Sequence, residues 1–127
     1  MSTSGLFARR AYTAAAIYGL LVLVPQYFLL DRIATTAPPA VTHPEYFYGF
    51  VGLGVVFQLV FLLIGRDPVR YRALMPLTWL EKLSFGIPAV VLYAQGRLSR
   101  DLFAGGVVDL LLCALFVVAW MRTPRTA

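Results

Sequence analysis

Residues 75–94 read MPLTWLEKLSFGIPAVVLYA. The run has the length at which a helix, rising ~1.5 Å per residue, crosses hydrocarbon in roughly 20 residues. It also carries Glu81 and Lys82 side by side in its first half. Three further apolar stretches of similar length flank it, about Ala11–Leu30, Tyr46–Gly65 and Leu102–Met121, and the last holds a third deep charge, Asp109. The connections Asp31–Glu45, Arg66–Leu74 and Gln95–Asp101 are short, so consecutive helices are expected to run antiparallel. This predicts an all-α, integral membrane four-helix up-down bundle, one transmembrane domain covering residues 1–127. The period-2 alternation of a membrane barrel is absent.

Composition points the same way. Of the 127 residues 60% are apolar and 13% charged, whereas soluble domains carry about 25% charged residues. The net charge of +5 is almost wholly arginine and is read by position. Arg9, Arg10, Arg66, Arg70, Arg72, Arg122 and Arg125 fall on one side of a four-span layout. Arg32, Arg97 and Arg100 fall on the other, accompanied by Asp31, Glu45 and Asp101. The excess of arginine marks the cytoplasmic face, which places both termini in the cytoplasm of a multi-pass inner-membrane protein. The first span is expected to be retained, because it is longer than a signal-peptide core, holds Gln26, and lacks a small-x-small site after it.

The single cysteine, Cys113, and single histidine, His43, exclude an intrachain disulfide and a site built on Cys or several His, and no metal is expected. There is no phosphate loop and no Ser-His-Asp order, and nothing supports nucleic-acid binding; no cofactor is identifiable. The basic run Arg66, Arg70 and Arg72 is expected to lie among anionic lipid headgroups. His43 reads as part of a helix start, with Thr42 and Glu45 at capping-box spacing. Pro76 suits a first helical turn, and Ser99 with Asp101 suits the start of the fourth span. Pro25 and Pro88 are expected to kink their helices. Gln26 and Tyr27 either line an outer cavity or serve the kink. Tyr46, Phe47, Tyr48, Trp79, Tyr93 and Trp120 read as interfacial aromatic belts.

Small residues allow close helix contact in lipid. Ala11, Ala15 and Gly19 repeat along the first span, Gly105, Asp109 and Cys113 along the fourth, and Gly49, Gly52 and Gly54 open the second. They suit packing within the bundle or a homo-oligomer contact. In the third span, Thr78, Lys82, Gly86 and Ala89 form one strip, and Glu81, Ser84 and Pro88 an adjoining one. Both are expected to look into the bundle. Trp79, Leu80, Leu83, Ile87 and Val90 occupy the opposite side and suit lipid or apolar packing.

An ionisable group in hydrocarbon must pair, face a cavity or do work. Adjacent residues on a helix point ~100° apart, so Glu81 and Lys82 are expected to meet poorly. Lys82 lies about 10 Å and Asp109 about 18 Å from the cytoplasmic ends of their spans, at ~1.5 Å per residue. A lysine side chain closes much of that gap, so a Lys82–Asp109 pair is expected, with Glu81 and Gln58 beside it. Glu81 is left as the excess acid. Gln58, Glu81, Lys82, Ser84 and Asp109 are therefore the expected ligand-binding residues, and Glu81, Lys82 and Asp109 the catalytic candidates. The alternative is that these groups fix helix register and nothing more.

The run Gly65 to Arg72, then Glu81-Lys82-Leu83, Leu92-Tyr93 with Gly96-Arg97, and Asp109-Leu110 with Leu115-Phe116, resembles small four-span bacterial inner-membrane proteins of DoxX-like type. The resemblance implies a lysine and an aspartate corresponding to Lys82 and Asp109; DoxX-type proteins have been linked to quinone-coupled sulfur oxidation. Leu30-Asp31 after Pro25, and Val56-Phe57-Gln58-Leu59, are similar to the sterol-isomerase and sigma-2-receptor-like membrane fold, whose cavity holds acidic residues. Gln58 stands where that fold has an acid, which argues against isomerase activity. The expected function is an accessory subunit of a larger membrane complex, or a binder of a lipid-like ligand, with membrane lipids and other membrane subunits or a second copy as partners. The alternative is an intramembrane enzyme or quinone-linked protein using Glu81, Lys82 and Asp109.

Overall fold

A computed structural model describes residues 5–36 and 41–126. Its helices are α1 (Leu6–Leu23), α2 (Leu30–Thr36), α3 (Pro44–Arg66), α4 (Met75–Ala94) and α5 (Arg100–Arg122), with 3₁₀ turns at Val24–Phe28 and Arg72–Leu74. No strand occurs among the described residues. Three segments are long and apolar enough to cross a membrane: α1 with its 3₁₀ extension (Leu6–Phe28), α3 and α5. α4 has 20 residues, but Glu81, Lys82, Pro76 and Pro88 dilute its hydropathy, and it is not among the three.

Local chemistry explains the element ends. Pro25 has no N–H to continue the α-helical ladder, and the chain tightens into a 3₁₀ turn there. Gln26 Nε2 donates to the Val22 carbonyl at 3.1 Å, so this side chain serves the kink. Ser99 Oγ accepts from Leu102 N at 3.3 Å and caps α5, with Asp101 in the first turn. Pro76 sits in the first turn of α4. The expected capping box at Thr42 is not formed: His43 is the cap residue, and Glu45 turns back to its Nδ1 at 3.3 Å. The connection expected at Asp31–Glu45 also differs, because Leu30–Thr36 forms α2; residues 37–40 of it lie outside the described residues.

The long helices pack as two pairs, α1 on α3 and α4 on α5. α1 also touches α5, while α3 and α4 meet sparingly. The core joining the pairs lies toward the arginine-rich end. There Tyr12 stacks on Phe116 with ring centroids 4.1 Å apart, and Phe61 meets both edge-on at 5.9 and 5.0 Å. Ala8, Ala15, Ala16, Ile64, Met75 and Ala119 fill the space around them. Tyr12 Oη and Thr78 Oγ1 share a buried hydrogen bond of 2.8 Å, and the Thr78 hydroxyl is also 2.6 Å from the Met75 carbonyl.

The same end is clasped by arginines. Arg9 Nη1 donates to the Arg66 carbonyl at 2.7 Å, and Arg72 Nε to the Thr123 carbonyl at 2.9 Å. Both acceptors lie at helix C-termini, where carbonyls lack intrahelical donors and cations are favoured. Arg72 also lies 4.1 Å over the Trp120 ring, and Arg122 lies 4.9 Å over Phe7. The starts of α1 and α4 and the ends of α3 and α5 are thereby held at one end.

Glycines set the pair contacts. A Cβ at Gly19 would overlap the Gln58 side chain, and one at Gly106 would overlap Ala89. The close approach on α5 is therefore made by Gly106, one residue on from the expected Gly105 strip. On α4 the buried positions are Met75, Thr78, Lys82, Gly86 and Ala89, which include the whole of the first expected strip. On the opposite side, where lipid or apolar packing is expected, Trp79 is half-buried edge-on to Trp120, 5.6 Å between centroids.

Candidate functional site

Above the aromatic core the two helix pairs diverge around a cleft of about 850 Å³. α1 contributes Gly19 and Val22 to its wall, α3 Phe50 and Phe57, α4 Leu80 and Phe85, and α5 Gly105 and Val108. The glycines make room: a Cβ at Gly105 would meet only the Phe85 ring, at 3.9 Å. Volumes of roughly 300–1,000 Å³ with apolar walls and a few placed polar groups are usual for small-molecule sites.

Polar groups gather at the floor. Lys82 is 5% exposed and reaches across to α5, its Nζ 3.3 Å from Asp109 Oδ1. Thr78, one turn before Lys82, and Gly86, one turn after, belong to the same buried strip, which fixes this side of α4 toward α5. The Phe61 ring centroid lies 5.2 Å from Nζ, so the lysine rests on the aromatic core. The expected Lys82–Asp109 pair is present. Glu81 and Lys82, expected to meet poorly, form a loose ion pair: Glu81 Oε2 lies 3.7 Å from Nζ, farther than Asp109 and beyond hydrogen-bond distance. Two flexible side chains bend toward each other and close the angle that their backbone positions open. Lysine thus stands between two carboxylates, whose side chains are 19% and 18% exposed for Glu81 and Asp109.

Gln58 lies on the same floor, 2% exposed. Its Nε2 donates to the Gly54 carbonyl at 3.0 Å, one turn back. That carbonyl can only accept, so the amide is fixed with its nitrogen on the backbone and its oxygen packed against Gly19 of α1. Gln58 Oε1 is buried without a hydrogen-bond partner, and so is Glu81 Oε2, whose 3.7 Å separation from Lys82 is that of an ion pair. Buried polar atoms are nearly always paired, and each unpaired one needs an explanation.

Ser84 also lines the cleft, but its Oγ donates to the Glu81 carbonyl at 2.6 Å. Gln26 and Asp101 sit in the wall farther from the core. Tyr27 does not line it; it stacks on Tyr48 with centroids 6.0 Å apart. Cys113 lies outside the cleft, its Sγ 3.7 Å from the Trp79 carbonyl. Arg66, Arg70 and Arg72 stand at the arginine-rich end, away from the cleft. No group of His, Cys, Asp and Glu suited to a metal ion occurs among the described residues.

The arrangement brings together Gln58, Glu81, Lys82, Ser84 and Asp109, all of the residues expected to bind a ligand. Sequence reasoning missed the unpartnered acceptor of Gln58 and the aromatic support from Phe61. The first follows from the Gly54 carbonyl one turn earlier, which only a helical register reveals. The second needed the depth of Phe61 to be compared with that of Lys82. No family model matches this chain, and no match to it is found among curated proteins or among solved structures.

Proposed function

We propose that this chain is a four-span inner-membrane protein, both termini cytoplasmic, that binds a lipid-like molecule between its two helix pairs. The observation that carries the reading is an apolar cleft of about 850 Å³ with the Glu81, Lys82 and Asp109 cluster at its floor. Apolar walls suit a hydrocarbon body, and a polar floor suits a head inserted toward it.

α4 serves as the fourth span in this reading. It is close to the others in length, and its Lys82 pairs with Asp109 and with its own Glu81 instead of facing lipid. Pairing inside the bundle is the usual circumstance of intramembrane ions. The seven arginines of the clasped end mark the cytoplasmic side. Between ligand binder and accessory subunit, the cleft favours the first. A quinone-linked role is less well supported: a quinone oxygen requires a donor, the Gln58 amide nitrogen is engaged by the backbone, and the Lys82 ammonium is held between Glu81 and Asp109.

The test uses the full chain extracted in a mild maltoside and examined by native mass spectrometry. A bound species of lipid-like mass is expected on the wild type. Gly105→Leu, which projects into the cleft where only Phe85 is near, is expected to lower its occupancy at least tenfold while elution and melting stay unchanged. Equal occupancy in that variant would place the ligand elsewhere.

A further inference from the structure

The arginines of the clasped end are of two kinds. Arg9 and Arg72 donate to backbone carbonyls, those of Arg66 and Thr123. Arg10 and Arg122 make no hydrogen bond or ion pair with another side chain among the described residues. Arg10 belongs to the second turn of α1 and Arg122 ends α5. Both are exposed, and both line one hollow of about 340 Å³ together with Gly5, Leu6 and Phe7. No carboxylate lines it. The loop beside Gly5 brings Asp67 near, but its Oδ1 accepts from Arg70 N at 3.3 Å. Arg122 is positioned by its guanidinium lying over the Phe7 ring, 4.9 Å from the centroid. That contact draws on the charge of the guanidinium and on no acceptor atom, so its N–H donors are not consumed. Two permanently charged donors from different helices therefore converge on a concave surface whose side chains offer no acceptor.

We infer that this hollow binds the phosphate of a phosphomonoester lipid headgroup, with Arg10 and Arg122 as its ligands. The planar fork of arginine matches paired phosphate oxygens and gives short, charge-assisted bonds. A phosphomonoester carries about −1.5 to −2 charge near neutral pH, as on phosphoserine, and suits two guanidinium groups better than a singly charged diester does. A lipid is favoured over free phosphate by the apolar part of the lining. Leu6 is 39% exposed and opens the segment Leu6–Phe28, which is apolar enough to cross a membrane. A headgroup seated here would send its acyl chains along that segment. The inference takes from the preceding section only that the arginine-rich end meets a bilayer surface, and it does not depend on the cleft.

The experiment uses the full chain in a mild maltoside. Dioleoyl phosphatidic acid, phosphatidylglycerol and phosphatidylcholine are titrated singly, with and without inorganic phosphate, and binding is read by native mass spectrometry. Phosphatidic acid is expected to bind about tenfold more tightly than phosphatidylcholine, the scale of one charge-assisted hydrogen bond, and more tightly than phosphatidylglycerol. Arg10→Gln with Arg122→Gln should bring it to the level of phosphatidylcholine. Arg70→Gln with Arg125→Gln removes the same charge from exposed positions at the same end and should leave the preference in place. If the first pair does not elute and melt as a folded protein, Arg10→Lys with Arg122→Lys takes its place. That pair keeps the charge, loses the planar fork, and should remove the advantage of phosphatidic acid over phosphatidylglycerol. Equal losses from the two Gln pairs, or a preference that survives both substitutions of Arg10 and Arg122, overturn the site. Phosphatidylglycerol binding as tightly as phosphatidic acid overturns the phosphomonoester head, and inorganic phosphate displacing the lipid at low concentration overturns the lipid source. Gly105→Leu, the variant that tests the cleft, should leave phosphatidic acid binding unchanged, so the two readings fail separately.

Discussion

The two ends of this molecule are built differently from the same four long helices. Toward the arginine-rich end, Tyr12, Phe61 and Phe116 stack into a plug, and helix ends are clasped by Arg9 and Arg72. Toward the other end the pairs part around a cleft, whose lining includes Gly19, Gly54 and Gly105. Lys82 marks the boundary, resting on Phe61 and facing the cleft with its partners. The difference teaches that side-chain volume, not helix length or hydropathy, decides where such a bundle closes. Large rings fill the plug, whereas the space beside Gly105 is open to the cleft.

The boundary should be the most sensitive place. Lys82→Met leaves two carboxylates without their cation, and breaking a buried pair from one side costs about 3–5 kcal/mol. Melting in detergent should fall steeply, and the neutral combination with Glu81→Gln and Asp109→Asn should recover much of the loss. A single Lys82→Met variant as stable as wild type would refute the pairing as a support. A smaller effect comes from neighbouring glycines, one on the α4–α5 contact and one on the cleft wall. Gly106→Ala drives a methyl into Ala89 on the packed contact and should cost about 1–3 kcal/mol, as overpacking does. Tyr12→Phe removes the 2.8 Å bond to Thr78 within the plug, a loss of about 0.5–1.5 kcal/mol, since Thr78 keeps the Met75 carbonyl. Gly105→Ala, on the cleft wall, should leave melting within about 0.5 kcal/mol, the usual range for an uncrowded site. Equal penalties at Gly105 and Gly106 would erase the contrast between packed contact and open cleft wall.

Much of this layout was legible from spacing. The strip Thr78, Lys82, Gly86 and Ala89 follows from helical periodicity, and the Lys82–Asp109 pair from comparing depths along two antiparallel helices. Other features depend on the freedom of side chains or on competition between local partners. Glu81 reaches Lys82 because both side chains have several rotatable bonds, which a backbone angle does not capture. Thr42 lost its cap because Glu45 turned to His43 instead. The aromatic plug was hidden for a different reason. α1 and α3 are apolar nearly all round, so no contrast of polarity reveals which ring faces inward, and Tyr12 gave no sign of its role. Gly105 and Gly106 are adjacent, and choosing between them needs the rotation of α5 to about 100°.

The clasp at the arginine-rich end also carries a schedule. Arg9 waits for the carbonyl of Arg66, and Arg72 for that of Thr123. During synthesis the first anchor therefore finds its acceptor only when α3 has been threaded, and the second only when α5 has. In the proposed membrane topology each guanidinium would until then be free to hold lipid phosphate at the surface. The same side chains would first orient an incoming helix and later fasten it to a neighbour, so that insertion and final assembly would share one set of arginines used in succession.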